Sequence, residues 1–365
     1  QRSLVGSEMC IRDSSKTSYN GNYGLNASWT LYNGNKRLKT IQQEKLNNQM
    51  AELDVATSEN NIQESIAQVY IQILYAAESV KVNENTLQVS IAQRDRGQEL
   101  LNAGSIAKSD LAQLEAQVST DRYQLVTAQA TLEDYKLQLK QLLELDGENE
   151  MNIYLPALSD ENVLAPLPTK RDVYISALSL RPEIEASKLN VEASELGINI
   201  AKSSYFPTIS LSAGIGTNHT SGSDFTFGEQ VKNGWNNSIG LSVSVPIFNN
   251  RQTKSAVQKA KLQYETSMLS LLDEQKALYK TIESLWLDAN SAQQRYAAAN
   301  EKLKSTQISY ELISEQFNLG MKNTVELLTE KNNLLQAQQE QLQAKYMAIL
   351  NTQLLKFYQG DQLAL

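Results

Sequence analysis

Among 365 residues the chain offers one histidine, His219, and one cysteine, Cys10. Catalysis by acid, base or nucleophile needs titratable groups that converge, and a zinc site needs several His or Cys donors. Neither set exists, there is no glycine-rich phosphate loop, and a disulfide framework is excluded. No metal, cofactor or enzymatic reaction is therefore expected. His219 falls in a Gly/Ser-rich loop and reads as solvent-exposed, while Cys10 lies in an aperiodic start and does not support a lipid-anchor reading. Carboxylates remain, and most of them read as solvated helix flanks. One pair stands out by position: Asp110-Leu111 recurs as Glu326-Leu327, 216 residues on. On helix starts these acids would favour the positive N-terminal dipole.

The same offset of 216 runs through what surrounds them. Gly24-Leu25-Asn26-Ala27-Ser28-Trp29-Thr30-Leu31-Tyr32 matches Gly240-Leu241-Ser242-Val243-Ser244-Val245-Pro246-Ile247-Phe248, and Gly104 maps onto Gly320. An offset that holds for roughly 90 residues without a gap marks one structural unit used twice. Each unit reads as an alternating strand, a very long helix, a glycine break and a second long helix. Subtracting 216 from the strand Phe206–Gly216 lands before residue 1, so the first repeat is expected to have lost its opening helix and strand.

The outgoing helix, from about Lys36 to Leu101, carries Ile62, Ile66, Val69, Ile73, Ala76, Val80, Asn83 and Leu87 at heptad steps. Leu278, Ile282, Leu285, Ala289, Ala292, Tyr296, Ala299 and Leu303 repeat that stripe. Such spacing demands a partner helix along a narrow seam. The return helix supplies it through Leu111, Leu114, Val118, Asp121, Leu125, Ala128, Leu132, Tyr135, Leu139 and Leu142. In the second repeat the return stripe is less tidy, at Leu328, Leu335, Leu342 and Ile349. Asn102-Ala103-Gly104-Ser105 and Asn318-Leu319-Gly320-Met321 read as tight antiparallel turns, glycine supplying the positive φ past a helix end. At 1.5 Å per residue the outgoing helix spans roughly 100 Å and the return helix roughly 60 Å. The helix Pro182–Ser204, roughly 35 Å long, covers most of the difference.

Composition sets the class. Aromatics make up 7% of the chain and prolines number 6, while Gln, Asn, Ala, Leu, Glu and Lys fill long tracts, as in long helices and coiled coils. A net charge of −8 without a Lys/Arg cluster makes nucleic acid a poor partner. The single cysteine is compatible with an oxidising compartment. No apolar run reaches the roughly 18 residues of a membrane-spanning helix. The strands tell a different story. Ile209, Leu211, Ala213 and Ile215 alternate with small polar residues, as do Ile239, Leu241, Val243, Val245 and Ile247, and Leu25, Ala27, Trp29 and Leu31 hold the same parity. Strands apolar on one face and small-polar on the other fit a membrane barrel with a wet interior. A half-buried hairpin on a soluble core is the ordinary alternative, yet the narrow helical seams leave no core for it to cover. A few strands cannot close a barrel, and lipid does not tolerate open edges, so closure requires several chains.

In Ser203-Ser204-Tyr205-Phe206-Pro207-Thr208-Ile209-Ser210-Leu211, Val245-Pro246-Ile247-Phe248-Asn249-Asn250-Arg251 and Leu178-Ser179-Leu180-Arg181-Pro182-Glu183-Ile184, together with the two glycine turns, the chain resembles the TolC-type outer-membrane efflux protein family over about residues 20–357. The resemblance implies a homotrimer, a twelve-stranded barrel in the lipid of a Gram-negative outer membrane, and a helical tunnel across the periplasm. It implies a passive exit duct for a tripartite efflux or secretion system, with a periplasmic adaptor (membrane fusion) protein and an inner-membrane pump as partners. It further assigns Asp110 and Glu326, six residues past each tip glycine, and Lys322, two past the second, to the periplasmic gate. A further acidic position of the family is Thr329 here. Adaptor docking falls to Ala103, Gly104, Ser105, Ile106, Leu319, Gly320 and Met321, which equally fit plain turn geometry. Lys322 equally fits a solvated surface charge.

The expected class is thus mainly α with a small β part: long antiparallel helical hairpins, forming a coiled-coil α-barrel on trimerisation, plus amphipathic strands of a shared barrel. The expected segments are a non-native or disordered leader (1–18), a strand (19–33), a helical hairpin (34–145), an equatorial mixed segment (146–181), a short helix (182–204), a β-hairpin (205–248), a second helical hairpin (249–357) and a tail (358–365). The rival is a soluble coiled-coil scaffold or adaptor, which shares the heptads but has no use for Ser-alternating strands.

Overall fold

A computed structural model describes residues 18–145, 153–154 and 163–363. The expected leader, but for its last residue, and much of the mixed segment lie outside the described residues. The elements run β1 (Asn20–Asn33), α1 (Lys36–Asn102), α2 (Lys108–Leu142), α3 (Lys170–Leu180), α4 (Pro182–Ser203), β2 (Thr208–Thr220), α5 (Phe227–Asn233), β3 (Asn236–Ser244), α6 (Gln252–Asn318) and α7 (Thr324–Gln359).

The internal repeat is carried by the backbone itself. Adding 216 to the bounds of α1 gives those of α6, both of 67 residues. The same shift takes the start of α2 onto that of α7 and the start of β1 onto that of β3. Even the strained corners recur: Gly34 and Asn35 have φ of 65° and 64°, and their equivalents Asn250 and Arg251 have 49° and 63°. Two successive left-handed residues lead into each long helix, a conformation that favours Gly and Asn and costs a side chain such as Arg251 more. At Gly34 an added Cβ would also stand 2.7 Å from the Ser203 carbonyl oxygen.

The chain divides into two compact units, Gln1–Leu46 with Glu192–Thr266 and Asn47–Val191 with Ser267–Leu365. In the first, the strands form one antiparallel sheet of order β1-β2-β3. Its register aligns Trp29, Leu211 and Leu241 in one row and Ala27, Ala213 and Ile239 in the next. Between them stand rows of Ser28, Ser212 and Gly240 and of Asn26, Gly214 and Ser238, so the alternation read from each strand is shared by all three. Two expectations need correcting. A bulge between Thr30 and Tyr32 sets Tyr32 opposite Ile209, so Leu31 drops out of the apolar parity. β3 ends at Ser244, short of Val245 and Ile247, where Pro246 lacks the N–H a ladder needs.

In the second unit α7 packs between two long helices. Its Leu342, Tyr346, Leu350 and Leu354 bury against Ile71 and Leu74 of α1, and its Ala344 and Ala348 against Ala292 and Tyr296 of α6. Burial on more than one stripe explains why the return period looked untidy in the sequence. On α1, α2 and α6 every stripe position is buried or half-buried except Ile62. A further cluster joins Val173 and Ala177 of α3 and Ile184 of α4 to Leu278 and Ile282 of α6 and Leu355 of α7. α4 starts beside α1 through Arg181 to Glu64 (2.9 Å), and in the first unit Gln43 donates to the Ala193 carbonyl at 2.9 Å.

Candidate functional site

Both helical tips are built the same way. Gly104 and Gly320 each have φ of 75°, and nothing lies within 4 Å of an added Cβ. Ser105 N–H donates to the Leu100 carbonyl and Met321 N–H to the Gln316 carbonyl, both at 2.8 Å. These bonds satisfy carbonyls that a helix end would leave orphaned. Ala103, Gly104, Ser105, Leu319, Gly320 and Met321 are all exposed, and Ile106 is half-buried.

Asp110 and Glu326 sit three residues past the N-caps of α2 and α7. The Asp110 carboxylate accepts from Ala107 N–H at 3.1 Å, and that of Glu326 accepts from Asn323 N–H at 3.2 Å. Only the second start is a reciprocal box, since Asn323 Oδ1 accepts from Glu326 N–H at 2.9 Å whereas Ala107 has no side-chain acceptor. Lys322 donates forward to the Glu326 carboxylate at 2.7 Å. The Lys322 hydrogen bond, then that from Asn323, hold the Glu326 carboxyl below the usual carboxylate range. Within one chain these three residues thus cap helices and pair locally.

Deeper in the unit lies a polar cluster that sequence reasoning missed. Lys331 of α7 is buried and donates to both Asp121 of α2 and Ser90 of α1, while Ser90 also donates to Asp121. Gln117 completes the set, donating to Asp121 at 2.9 Å. Burial pushes the Lys331 ammonium below the usual lysine range, against the opposing pull of Asp121. The cluster ties both helices of the first hairpin to the second hairpin. Its one sequence signal was Asp121 within an otherwise apolar stripe, where a carboxylate demands a partner. A second buried cation, Arg181, pairs with Glu64, 2.9 Å away, and lies 3.6 Å from the Tyr358 ring centroid. Burial is the main cause that raises the Tyr358 hydroxyl to about 12, with the Glu64 carboxylate acting in the same direction.

The structure moves His219. It lies in β2, paired with Gly21, rather than in the loop, and its ring stands 5.0 Å from that of Phe227 at the start of α5. Among the described residues no three His, Cys, Asp or Glu groups gather as a metal site would require, and no helix is long and apolar enough to cross a membrane.

Duplicated helical hairpins that carry amphipathic strands define a class, and solved structures share it. CusC superposes with a TM-score of 0.79 at 18% identity, covering 95% of this chain and 83% of that one. VceC of Vibrio cholerae gives 0.74 at 15% identity, covering 95% and 88%. At these identities both likenesses are of fold alone. The sequence profile described as "Outer membrane efflux protein" matches residues 2–144 and 173–360, and the chain belongs to that family. Among its relatives are the outer membrane efflux protein BepC of Brucella suis, 24% identical over 80% of this chain and 61% of BepC, and TolC of Escherichia coli K12, 24% identical over 78% and 58%. The chain spans about three fifths of the length of these two relatives. Membership places it in the outer membrane of a Gram-negative bacterium, with its helices in the periplasm.

Proposed function

We propose that the chain is one protomer of a trimeric channel-tunnel, the passive exit duct of a tripartite efflux or secretion system. The observation that carries this reading is the sheet. Leu25, Trp29, Ile239, Leu241 and Val243 expose their side chains along one face, while serines, glycines and asparagines fill the other. Water would penalise the first face and lipid accepts it; the second suits an aqueous lumen. Within the described residues β1 and β3 pair on one side only, and an unpaired edge in lipid costs several kcal/mol per group by the usual estimate, so other copies must close the ring. A barrel of twelve strands takes four from each of three copies, and the described residues hold three.

In this reading the segments expected from the sequence become barrel strands (19–33 and 205–248) and periplasmic hairpins (34–145 and 249–357), with 146–181 as an equatorial collar. A three-fold axis would gather copies of Asp110, Glu326 and Lys322 at the periplasmic gate, where negative potential favours cations. Because Lys322 already pairs with Glu326, Asp110 would dominate that potential. The exposed tips around Gly104 and Gly320 would dock a periplasmic adaptor, fed by an inner-membrane pump that supplies the energy. A soluble scaffold would have no use for the exposed apolar sheet face.

Expression in a Gram-negative outer membrane, followed by detergent extraction, light scattering and bilayer recording, tests the reading. Three chains per particle and discrete conductance steps are expected. A helical monomer or dimer without conductance would favour the scaffold and remove the channel.

A further inference from the structure

The unit that holds the sheet sorts its charges. Residues 20–43, 196–223 and 230–264 contain no aspartate or glutamate, in a chain of net charge −8. Lys36, Arg37 and Lys39 stand in the first turn of α1, Lys202 in the last turn of α4, and Arg251 and Lys254 at the start of α6. All three helix ends join the chain to one end of the sheet, where the register sets Asn33, Thr208 and Ser244 in a single row. Among the described residues none of these six cations has an acid partner. The nearest acids along the three helices, Glu44, Glu195 and Glu265, lie roughly 12–20 Å from the ends. Beside the cations the surface is apolar: Ile247 is 95% exposed and Phe248 84%, extending the bare run of Leu241, Val243 and Val245 past the end of β3. A cavity of about 270 Å³ opens there, lined by Tyr205, Ile247 and Phe248 together with Arg251 and Lys254. At ~30 Å³ per water it has room for a polar group much larger than one solvent molecule. Arg251 is held at a φ of 63°, where the first repeat has Asn35, a residue that conformation suits better.

We propose, resting on the barrel reading above, that this end of the sheet binds an anionic phospholipid, its phosphodiester between Arg251 and Lys254 and its acyl chains along Ile247 and Val245. A guanidinium takes two phosphate oxygens at once and an ammonium adds a point charge, so the pair matches such a headgroup. A free phosphate would leave the apolar wall in water. A zwitterionic lipid brings its own cation, and the acid-free collar has nothing to receive it. The helices enter the periplasm from this end, so the lipid belongs to the periplasmic leaflet, and the collar fixes how deep the sheet sits in the bilayer.

The test uses the full chain carrying Cys10→Ser and Ile247→Cys, fluorescently tagged and reconstituted into phosphatidylcholine vesicles. A small fraction of the lipid is brominated on its acyl chains, as phosphatidylglycerol in one set and phosphatidylcholine in the other. The phosphatidylglycerol should quench at least about five-fold more effectively, the worth of one basic side chain at an anionic surface. Arg251→Asn with Lys254→Gln should bring the ratio towards one, while Lys232→Gln, at the far end of the sheet, should leave it unchanged. The asparagine already stands at the equivalent position of the first repeat, and circular dichroism checks that the variant folds. Equal quenching by the two lipids, or a ratio that falls as far with Lys232→Gln, overturns the proposal. So does a ratio abolished by inorganic phosphate but not by chloride at the same ionic strength, which would assign the cavity to a free anion. A tag at Leu241→Cys separates the two readings. Quenching at 241 without quenching at 247 means that another copy covers the cavity, which overturns the lipid site and leaves the barrel standing. No quenching at either position removes both.

Discussion

Lys331→Met should be among the most damaging single changes on α7. It removes one partner from a pair in which Lys331 and Asp121 are 3% and 1% exposed, leaving a carboxylate buried with only Ser90 and Gln117 as donors. Breaking such a pair costs roughly 3–5 kcal/mol, or about two to four powers of ten in the folded-to-unfolded ratio. Asp121→Leu alone strands the ammonium and should cost a similar amount. The double variant leaves neither charge, and apolar replacement of a buried pair is often neutral or stabilising by roughly 1–4 kcal/mol. Urea unfolding of the detergent-solubilised chain, followed by helical circular dichroism, gives the four corners of the cycle. The surface pair Lys322–Glu326 serves as a control, since water screens such a pair and its loss should change stability far less. Single variants that each cost under about 1 kcal/mol and simply add would refute the assignment of this cluster as the tie between the hairpins.

Gly97→Ala should destabilise although alanine is the better helix former, because the new Cβ would stand 2.4 Å from Leu114 Cδ1, itself buried; overpacking costs roughly 1–3 kcal/mol, read as a lowered melting temperature. Gly320→Ala meets no atom, so only the left-handed backbone is charged, roughly 1–2 kcal/mol, and thermal melts should show a similar loss for Gly104→Ala. Glu326→Gln should lower the melting temperature at neutral pH and converge with the parent chain in acid. A carboxyl held below its ordinary 4.5 stabilises fully above that value and loses its contribution as the pH falls through the lowered one. A difference that grows in acid would contradict the cap and ion-pair geometry.

Much of this architecture is legible in the sequence because it is periodic. Heptads, period-two strands and the offset of 216 each state a geometry directly, and the bounds of α1 and α6 follow the offset residue for residue. Local chemistry is less legible. The bulge at Thr30 depends on a partner strand 180 residues away, and the early end of β3 on where its ladder stops. Lys331 carries no local signal, since its partners lie on two other helices, and the offset maps it to Glu115. Thus the repeat that reveals the fold conceals this place where the repeats differ. The tip acids were readable as helix-cap residues, and this is the role one chain shows.

The account turns on which face of the β1-β2-β3 sheet meets lipid. Single thiols from Leu241→Cys and Ser212→Cys, each in a Cys10→Ser chain reconstituted into liposomes, can be probed with a water-soluble maleimide, and, once fluorescently tagged, with a quencher carried on the acyl chains. The prediction is quenching from lipid at position 241 and aqueous labelling at position 212. The opposite pattern, or free aqueous labelling at both, would contradict it.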